Sequence, residues 1–332
     1  MAAFTRTPEA PPLIPPLSES SAAHRPLWSV MIPAYNCSAY LREAIESVLV
    51  QDEGTVRMQI EVCDDASSDA NVKQIVEEVG GGRVSYFRQE SNVGSLRNFE
   101  TCLNRSRGRL IHLLHGDDKI RPGFYRRMEA LFSHHPDIGM GFCRYYSIDQ
   151  EDITESLSDL ERVEAGILDN WLSRIACRQR IQVPAVVVPR KIYERLGSFY
   201  GVHYGEDWEM WIRIAAHYPV GYVPEPLADY RKHNFSITGQ YVLTGQNIRD
   251  LKKVMEISRQ YFSAEQWQLI HKKARRFYAQ YAINTARKIW GRCQNGAGTR
   301  AQIRAALALD VSGDLIYQAA KLYAKMALHI KR

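Results

Sequence analysis

The chain has 332 residues, of which 45% are hydrophobic and 24% charged, and a net charge of +6. This composition is typical of a globular protein with enough apolar material for a real core. Nowhere do about twenty apolar residues run together, which excludes a membrane-spanning helix, and the six cysteines form no C-x-x-C pair, which favours reduced thiols over a disulfide framework or a zinc site.

The charge is unevenly distributed along the chain. Residues 1–240 carry 26 Lys and Arg against 32 Asp and Glu, a balance of −6, whereas residues 241–332 carry 17 against 5, a balance of +12. Because charge decides which surfaces attract one another, we expect the two parts to meet different partners.

The first 25 residues are rich in proline and lack the unbroken apolar core of a signal peptide. We interpret residues 1–25 as a disordered leader.

From residue 26 the chain alternates between strand and helix patterns. Apolar runs predict strands over 28–33, 59–63 and 83–88, and each is followed by apolar residues at helical spacing. This alternation predicts an α/β domain with a mostly parallel central sheet flanked by helices, over residues 26–240.

The second half of this domain is less regular. Further strands are predicted over 110–114, 138–146, 183–188 and 220–223, and the acidic stretch 150–170 is interpreted as a surface excursion or lid. Beyond residue 240 only helical spacing remains, so residues 241–332 are predicted to be a basic helical C-terminal region.

Three pairs of acids follow predicted strands or open a predicted helix. They are Asp64 with Asp65, Asp117 with Asp118, and Glu206 with Asp207. Ligands of open α/β sheets bind beyond the carboxyl ends of the strands, and a divalent cation shared with substrate phosphates requires carboxylate oxygens. Solvated turns, and a helix dipole at residues 206 and 207, explain the same acids without any ligand.

Six short motifs occur in order over roughly residues 27–238. They are Ser29-Val30-Met31-Ile32-Pro33-Ala34-Tyr35-Asn36, Asp64-Asp65-Ala66-Ser67-Ser68-Asp69, Asn92-Val93-Gly94 with Arg97-Asn98, His115-Gly116-Asp117-Asp118, Gly205-Glu206-Asp207-Trp208 and Tyr230-Arg231-Lys232-His233. Together these motifs resemble the inverting glycosyltransferases of family 2. The family has a Rossmann-like α/β architecture known as the GT-A fold and uses nucleotide-diphospho-sugar donors.

The resemblance implies a donor-binding set. Pro33, Ala34 and Tyr35 would line the nucleotide base, and Asp65 would accept a hydrogen bond from a pyrimidine ring. Arg97 would approach the base or the phosphates.

The remaining implied roles concern the sugar, the metal and the reaction. Asp117 would bind ribose or sugar hydroxyls, Asp118 would hold Mg²⁺ or Mn²⁺ on the diphosphate, and His233 would add a metal or diphosphate contact. Arg231 would contact a phosphate. Asp207, with Glu206 beside it, would be the general base that deprotonates the acceptor hydroxyl.

Several of these assignments have alternatives. His115 stands where the family often has an acid, and it fits either a metal ligand or a structural histidine. His233 fits either a ligand or a surface or core histidine. Tyr35 either packs or contacts the base.

The basic stretch 271–292 also has two interpretations. It could meet an anionic membrane surface or a lipid-diphosphate acceptor, or it could be a solvated helix face. No nucleic-acid motif accompanies it, so no nucleic-acid partner is expected.

The resemblance thus predicts a metal-dependent transferase that moves a sugar, with UDP or dTDP preferred, to a saccharide or lipid-linked acceptor in surface polysaccharide synthesis. The expected location is the cytoplasm, with a peripheral position at the inner face of the cell membrane as an option. The alternatives are an inactive nucleotide- or carbohydrate-binding protein of the same fold and a sugar nucleotidyltransferase. The latter requires a glycine-rich basic loop after the first strand, and Pro33-Ala34-Tyr35-Asn36 is not one.

Overall fold

The computed structural model describes residues 5–18, 25–232 and 237–330. These residues form two compact units. We call the first the sheet unit, which holds the described residues of 1–171, 180–201 and 213–232. The second, the helical unit, holds those of 172–179, 202–212 and 233–332, so it takes two short segments from the stretch that the sequence assigned to the α/β domain.

The sheet unit is built on one sheet of ten strands in the described residues. The strands are β1 (Trp28–Ala34), β2 (Met58–Asp64), β3 (Ser85–Arg88), β4 (Leu110–Leu113), β5 (Lys119–Ile120), β6 (Met140–Ile148), β7 (Thr154–Leu157), β8 (Gly166–Ile167), β9 (Val186–Pro189) and β10 (Val220–Arg231).

The strand order is β3-β2-β1-β4-β9-β6-β10-β5, with β7 beside β6 and β8 beside β10. The first four strands of this order are all parallel, as the β-α alternation predicted. Strand β9 is antiparallel to both of its neighbours and joins this parallel half to the parallel pair of β6 and β10.

The helices are α1 (Ser38–Leu49), α2 (Val72–Gly80), α3 (Ser95–Arg105), α4 (Phe124–His134), α5 (Trp171–Cys177), α6 (Arg190–Leu196), α7 (Glu206–His217), α8 (Ile237–Thr244), α9 (Gln246–Ser258), α10 (Ala264–Cys293), α11 (Gly296–Leu309) and α12 (Gly313–Ala327). From residue 237 to 327 the described elements are all helical, as predicted.

The core explains why these segments form the sheet. Every residue of β1 and β2 is buried, as expected for parallel strands covered on both faces. Helix α1 buries the apolar face read from its spacing, including Leu41, Ile45 and Val48.

The last strand differs from its prediction. Strand β10 continues to Arg231 although the pattern indicated an end at Val223, because its pairing with β6 shifts register on either side of Pro226. Proline lacks an N–H for the ladder and is tolerated at such bulges. The extension carries Tyr230 and Arg231 to the carboxyl end of β10.

The N-terminal stretch also differs from its prediction. Residues 5–18 follow a defined path, and the side chain of Ile14 is only 1% exposed. Sequence composition could not show this, because the contacts that hold the stretch come from residues near 92 and near 190–201.

Within the described ranges, no helix has both the length and the apolar character that are needed to cross a bilayer.

Candidate active site

The carboxyl ends of β1, β2 and β4 meet at one edge of the sheet because these strands are adjacent and parallel. The backbone N–H of Asp65 donates to the carbonyl of Ala34 at 2.8 Å, and that of Gly116 donates to the carbonyl of Pro33 at 3.1 Å. These bonds place the residues that follow all three strands side by side.

Gly116 is required by close packing at this edge. A β-carbon at position 116 would lie 2.7 Å from Sγ of Cys37. The glycine therefore lets the loop after β4 approach β1, and this brings Asp117 and Asp118 to the same edge as Asp65.

His115, Asp117 and Asp118 form a cluster of potential metal ligands, with one ligand atom from each lying within 4.8 Å of the others. Oδ1 of Asp118 accepts a hydrogen bond from the backbone N–H of Arg231 at 2.8 Å. Its other oxygen, Oδ2, is buried and has no hydrogen-bond partner among the described residues. Nε2 of His115 is likewise buried and without a hydrogen-bond partner among these residues.

The electrostatics of this cluster favour a cation. Burial, together with the charge of Asp117, raises the pKa of Asp118, and burial lowers the pKa of His115. A buried carboxylate oxygen without a donor is costly. Carboxylate oxygens beside a neutral imidazole are a donor set that a divalent cation satisfies, so the residues fit a bound metal.

The ring of His115 is held in place from behind. It stacks on Phe99 with ring centroids 5.2 Å apart and planes 9° from parallel, and its Nδ1 lies 3.8 Å from Oδ2 of Asp118. Histidine at this position is thus compatible with a ligand role, which the sequence left open.

Arg231 lies in a buried network at this site. Its Nε donates to the carbonyl of Asp117 at 3.0 Å, Nη2 bonds Glu43 at 2.9 Å, and Nη1 lies 2.8 Å from Asp152. The guanidinium also lies over the ring of Tyr40. The structure therefore places Arg231 where it fixes the main chain of Asp117, and Glu43 and Asp152 are site residues that sequence reasoning missed.

Asp65 organises the loop before α3. Oδ1 accepts from the N–H of Val93 at 2.7 Å, and Oδ2 accepts from the N–H of Gly94 and from Nδ2 of Asn92, both at 2.9 Å. Burial raises its pKa, against the effect of these hydrogen bonds. A carboxylate has about four acceptor sites, so three donors leave it capacity for one more.

The neighbouring Asp64 supports the same edge from within the core. Its oxygens accept from the N–H of Ser67 at 2.9 Å and from the hydroxyl of Tyr86 at 2.8 Å, and it pairs with Arg88. Ala66, the residue after Asp65, has a φ of 59°. Such a conformation is strained for a residue with a side chain, and strained residues concentrate at functional sites.

The other predicted donor-binding residues also lie in the sheet unit. Pro33 and Ala34 are buried, whereas Tyr35 is 50% exposed and can offer its ring to a ligand. Arg97 donates through Nη1 to Glu100 at 2.7 Å and through Nε to the carbonyl of Thr5 at 3.0 Å.

Glu206 and Asp207 open helix α7 in the helical unit. Oδ2 of Asp207 accepts from Nε2 of Gln179 at 2.6 Å, and its Oδ1 accepts from the N–H of Trp208 at 2.7 Å. Burial raises the pKa of Asp207 to about 6, and burial with the adjacent charge of Asp207 raises the pKa of Glu206 well above its usual range. Gln179 was not foreseen from the sequence.

Aromatic side chains pack around Asp207 and its partner Gln179. The indole N–H of Trp208 donates to the carbonyl of Ile175 at 2.7 Å, and its ring lies 5.0 Å from that of Tyr278. The hydroxyl of Tyr278 accepts from the N–H of Gln179 at 2.8 Å. Asp207 and its amide partner are therefore fixed by the same aromatic packing.

His233, which the resemblance placed at the metal, lies outside the described residues.

Comparison with known proteins agrees with this fold. Residues 29–192 match the model of the glycosyl transferase family 2. Residues 29–192 are therefore a family 2 glycosyltransferase domain, the fold is GT-A, and the protein is a glycosyltransferase.

Among relatives, an uncharacterized protein of Mycobacterium tuberculosis is 28% identical over 252 residues, which cover 70% of this chain and 75% of that protein. An uncharacterized glycosyltransferase of Mycoplasma genitalium is 31% identical over 120 residues, or 35% of this chain. The matched part spans only 40% of the Mycoplasma protein.

Two solved structures share the fold over most of their length. TarS of S. aureus has a TM-score of 0.62 at 16% identity, covering 92% of this chain and 89% of that one. The mannosyltransferase PcManGT of Pyrobaculum calidifontis has a TM-score of 0.55 at 16% identity, covering 98% and 84%. At these identities the likeness concerns the fold.

Proposed function

We propose that this protein catalyses metal-dependent, inverting transfer of a sugar from a nucleotide diphosphate to a hydroxyl group. The observation that carries the proposal is the cluster of His115, Asp117 and Asp118 at the carboxyl edge of a family 2 domain. In this cluster the buried Oδ2 of Asp118 has no hydrogen-bond partner among the described residues. This edge is where α/β folds receive their ligands.

The donor is proposed to be a pyrimidine nucleotide, UDP or dTDP. The described residues supply three donors to Asp65, which is 2% exposed, and this leaves one acceptor position for a ring N–H. Its backbone N–H donates to the carbonyl of Ala34, the residue before the half-exposed Tyr35. Arg97 borders the same loop. TarS was solved with UDP-GlcNAc and PcManGT with GDP-Man and Mn²⁺, so the fold accommodates nucleotide diphosphate sugars with either type of base.

The metal is proposed to be Mg²⁺ or Mn²⁺, held by Asp118, with Asp117 positioned for ribose or sugar hydroxyls. When bound, such a cation neutralises charge on the leaving diphosphate. Arg231 contributes by fixing both acids, since its backbone N–H donates to Oδ1 of Asp118 and its guanidinium donates to the carbonyl of Asp117. His233 is retained as a candidate second ligand.

Asp207 is proposed to be the general base, and Glu206, which lies beside it, is proposed to take part in the same catalytic step. A base must be deprotonated at working pH yet basic enough to take a proton, and a pKa of about 6 meets both requirements. The hydrogen bond from Gln179 keeps the carboxylate in one orientation while the acceptor hydroxyl loses its proton.

The acceptor is proposed to be a saccharide or a lipid-linked saccharide of surface polysaccharide synthesis, reached by peripheral contact of the helical unit with an anionic membrane. Helix α10 exposes a row of cations that suits this contact. They are Lys272, Lys273, Arg276, Arg287, Lys288 and Arg292.

The proposal is tested by a thermal-shift and calorimetry panel with UDP, dTDP and GDP, each with and without Mn²⁺, followed by donor hydrolysis assays with the matching sugar nucleotides. We expect one pyrimidine nucleotide to bind more tightly with Mn²⁺ and its sugar form to be turned over. Binding without turnover of any donor, with a panel of saccharide acceptors present, would instead establish a binding protein of the same fold. If no nucleotide of the panel binds, the proposal is refuted.

A further inference from the structure

The proline-rich stretch of residues 5–18, which we call the proline segment, lies outside the residues matched to the family. It is held along the sheet unit by its own carbonyls. Those of Pro8 and Pro12 accept from the backbone N–H groups of Gly201 and Ser198 at 2.9 and 2.8 Å, and that of Pro15 accepts from Arg190 at 3.1 Å. Proline has a carbonyl acceptor but no N–H donor, so these prolines can be anchored only through their carbonyls.

The anchored segment carries Thr5 and Arg6 to the loop that surrounds Asp65. Nη2 of Arg6 donates to the carbonyl of Asn92 at 2.9 Å and also to its side-chain Oδ1. The carbonyl of Thr5 accepts from Nε of Arg97 at 3.0 Å. A β-carbon at Gly94 would lie 3.6 Å from the side chain of Arg6, so the two are in contact range.

These contacts determine the orientation of the Asn92 amide. Since Oδ1 faces the Arg6 guanidinium, Nδ2 faces the opposite way, where it donates to Oδ2 of Asp65 at 2.9 Å and to the carbonyl of Asp65 at 3.2 Å. If the amide turned over, its oxygen would face the carboxylate and repel it. The positive charge of Arg6 also favours the ionised form of Asp65.

We propose that Arg6 is a positioning residue for the nucleobase site: it sets the Asn92 amide so that Asp65 keeps one carboxylate position directed to the base of the donor. This inference rests on the proposed function. The inference adds a residue from outside the family domain to the donor site. Arg6 acts through Asn92 and does not touch the sugar or the metal.

The experiment compares Arg6→Ala and Arg6→Lys with the wild type and with Leu13→Ala, a matched control in the same segment whose side chain is 85% exposed. The probes are uridine and UDP, measured by calorimetry with and without Mn²⁺, or thymidine and dTDP where the thymine nucleotide binds better. We expect Arg6→Ala to weaken nucleoside and nucleotide by the same factor, about tenfold, with the effect of Mn²⁺ unchanged. Arg6→Lys should restore part of the affinity because lysine can still donate to Oδ1 of Asn92.

Two further measurements separate positioning from a general loss of structure. In steady state, Arg6→Ala should raise KM for the donor with kcat nearly unchanged. On an Asn92→Ala background, the Arg6→Ala change should cost no further affinity, because the link between them is already broken.

The outcomes are distinct. Three results would each overturn the positioning role and leave the proposed function intact. They are equal affinities for Arg6→Ala and Leu13→Ala, additive losses of affinity in the double variant, and a loss of affinity for UDP with that for uridine unaffected. Failure of the wild type to bind any nucleotide would overturn both.

Discussion

The predicted site carboxylates of the sheet unit and of the helical unit are in different states. In the sheet unit, Oδ2 of Asp118 is buried without a hydrogen-bond partner among the described residues. In the helical unit, both oxygens of Asp207 have donors, and burial raises its pKa to about 6.

This difference indicates two kinds of chemistry. A buried oxygen that lacks a donor is satisfied by a cation, whereas a carboxylate with one donor on each oxygen and a raised pKa is suited to exchanging a proton. The sheet unit is thus expected to control donor and metal binding, and the helical unit the rate of transfer.

The largest effect is expected from Asp207→Asn. The amide preserves shape but cannot accept a proton, so transfer should fall by roughly 10²–10⁴-fold, with the Kd for UDP and Mn²⁺ unchanged. Transfer is measured as sugar incorporation and the Kd by calorimetry. Glu265→Gln, an exposed acid of the same unit, serves as the control, and an equal loss of nucleotide affinity in Asp207→Asn would reassign the residue to donor binding.

The reverse pattern is expected from Asp118→Ala. Removing the carboxylate should abolish the gain in UDP affinity that Mn²⁺ provides, a change at least as large as the roughly 10–100-fold losses seen when partners of metal ligands are removed. Titrations of UDP with and without Mn²⁺ measure it. Asp137→Ala, an exposed change in the same unit, should keep the metal effect, and an undiminished metal effect in Asp118→Ala would contradict the assignment.

A smaller effect is expected from neutralising the basic surface of the helical unit. Changing Lys272, Lys273 and Arg276 to Gln should weaken pelleting with anionic vesicles, because each cation near such a surface contributes about 1 kcal/mol. Arg275 is kept because its Nε donates to the carbonyl of Leu309 at 2.7 Å. Neutral vesicles are the control, and unaltered pelleting would assign these cations to a solvated face.

The smallest effect concerns the pH profile. Since the base acts when deprotonated, transfer should fall as the pH drops through about 6, where Asp207 takes up a proton. The hydrogen bond from Gln179 favours the charged form, so Gln179→Ala should raise the pKa and move the midpoint to higher pH. The rate is measured between pH 5 and 8 relative to Gln260→Ala, an exposed glutamine of the same unit, and a midpoint unmoved from that control would argue against Asp207 as the titrating base.

The sequence predicted the parallel half of the sheet well because the signals there are local. Strands such as β1 are unbroken apolar runs and helices such as α1 have a clear apolar face, so each element can be recognised from a short window of sequence. The same window was too short for β10, where Pro224 ends the pattern and only the pairing with β6 continues the strand.

The candidate site divides in the same way. Asp65, Asp117 and Asp118 were recognisable because they follow strands whose carboxyl ends must share an edge. Three other features could not be recognised from the sequence, because each joins residues far apart in the chain. They are the network of Arg231 with Glu43 and Asp152, the hydrogen bond of Gln179 to Asp207, and the contact of Arg6 with Asn92.

The sequence by itself determined the family, the α/β architecture and the identity of the acids, since these depend on residue type and on spacing along the chain. Only the tertiary structure decided which buried oxygen has no partner among the described residues, which carboxyl group has its pKa raised to about 6 and which end of an amide faces Asp65. Those properties depend on burial and on hydrogen bonds between distant segments, and neither is encoded in any local pattern.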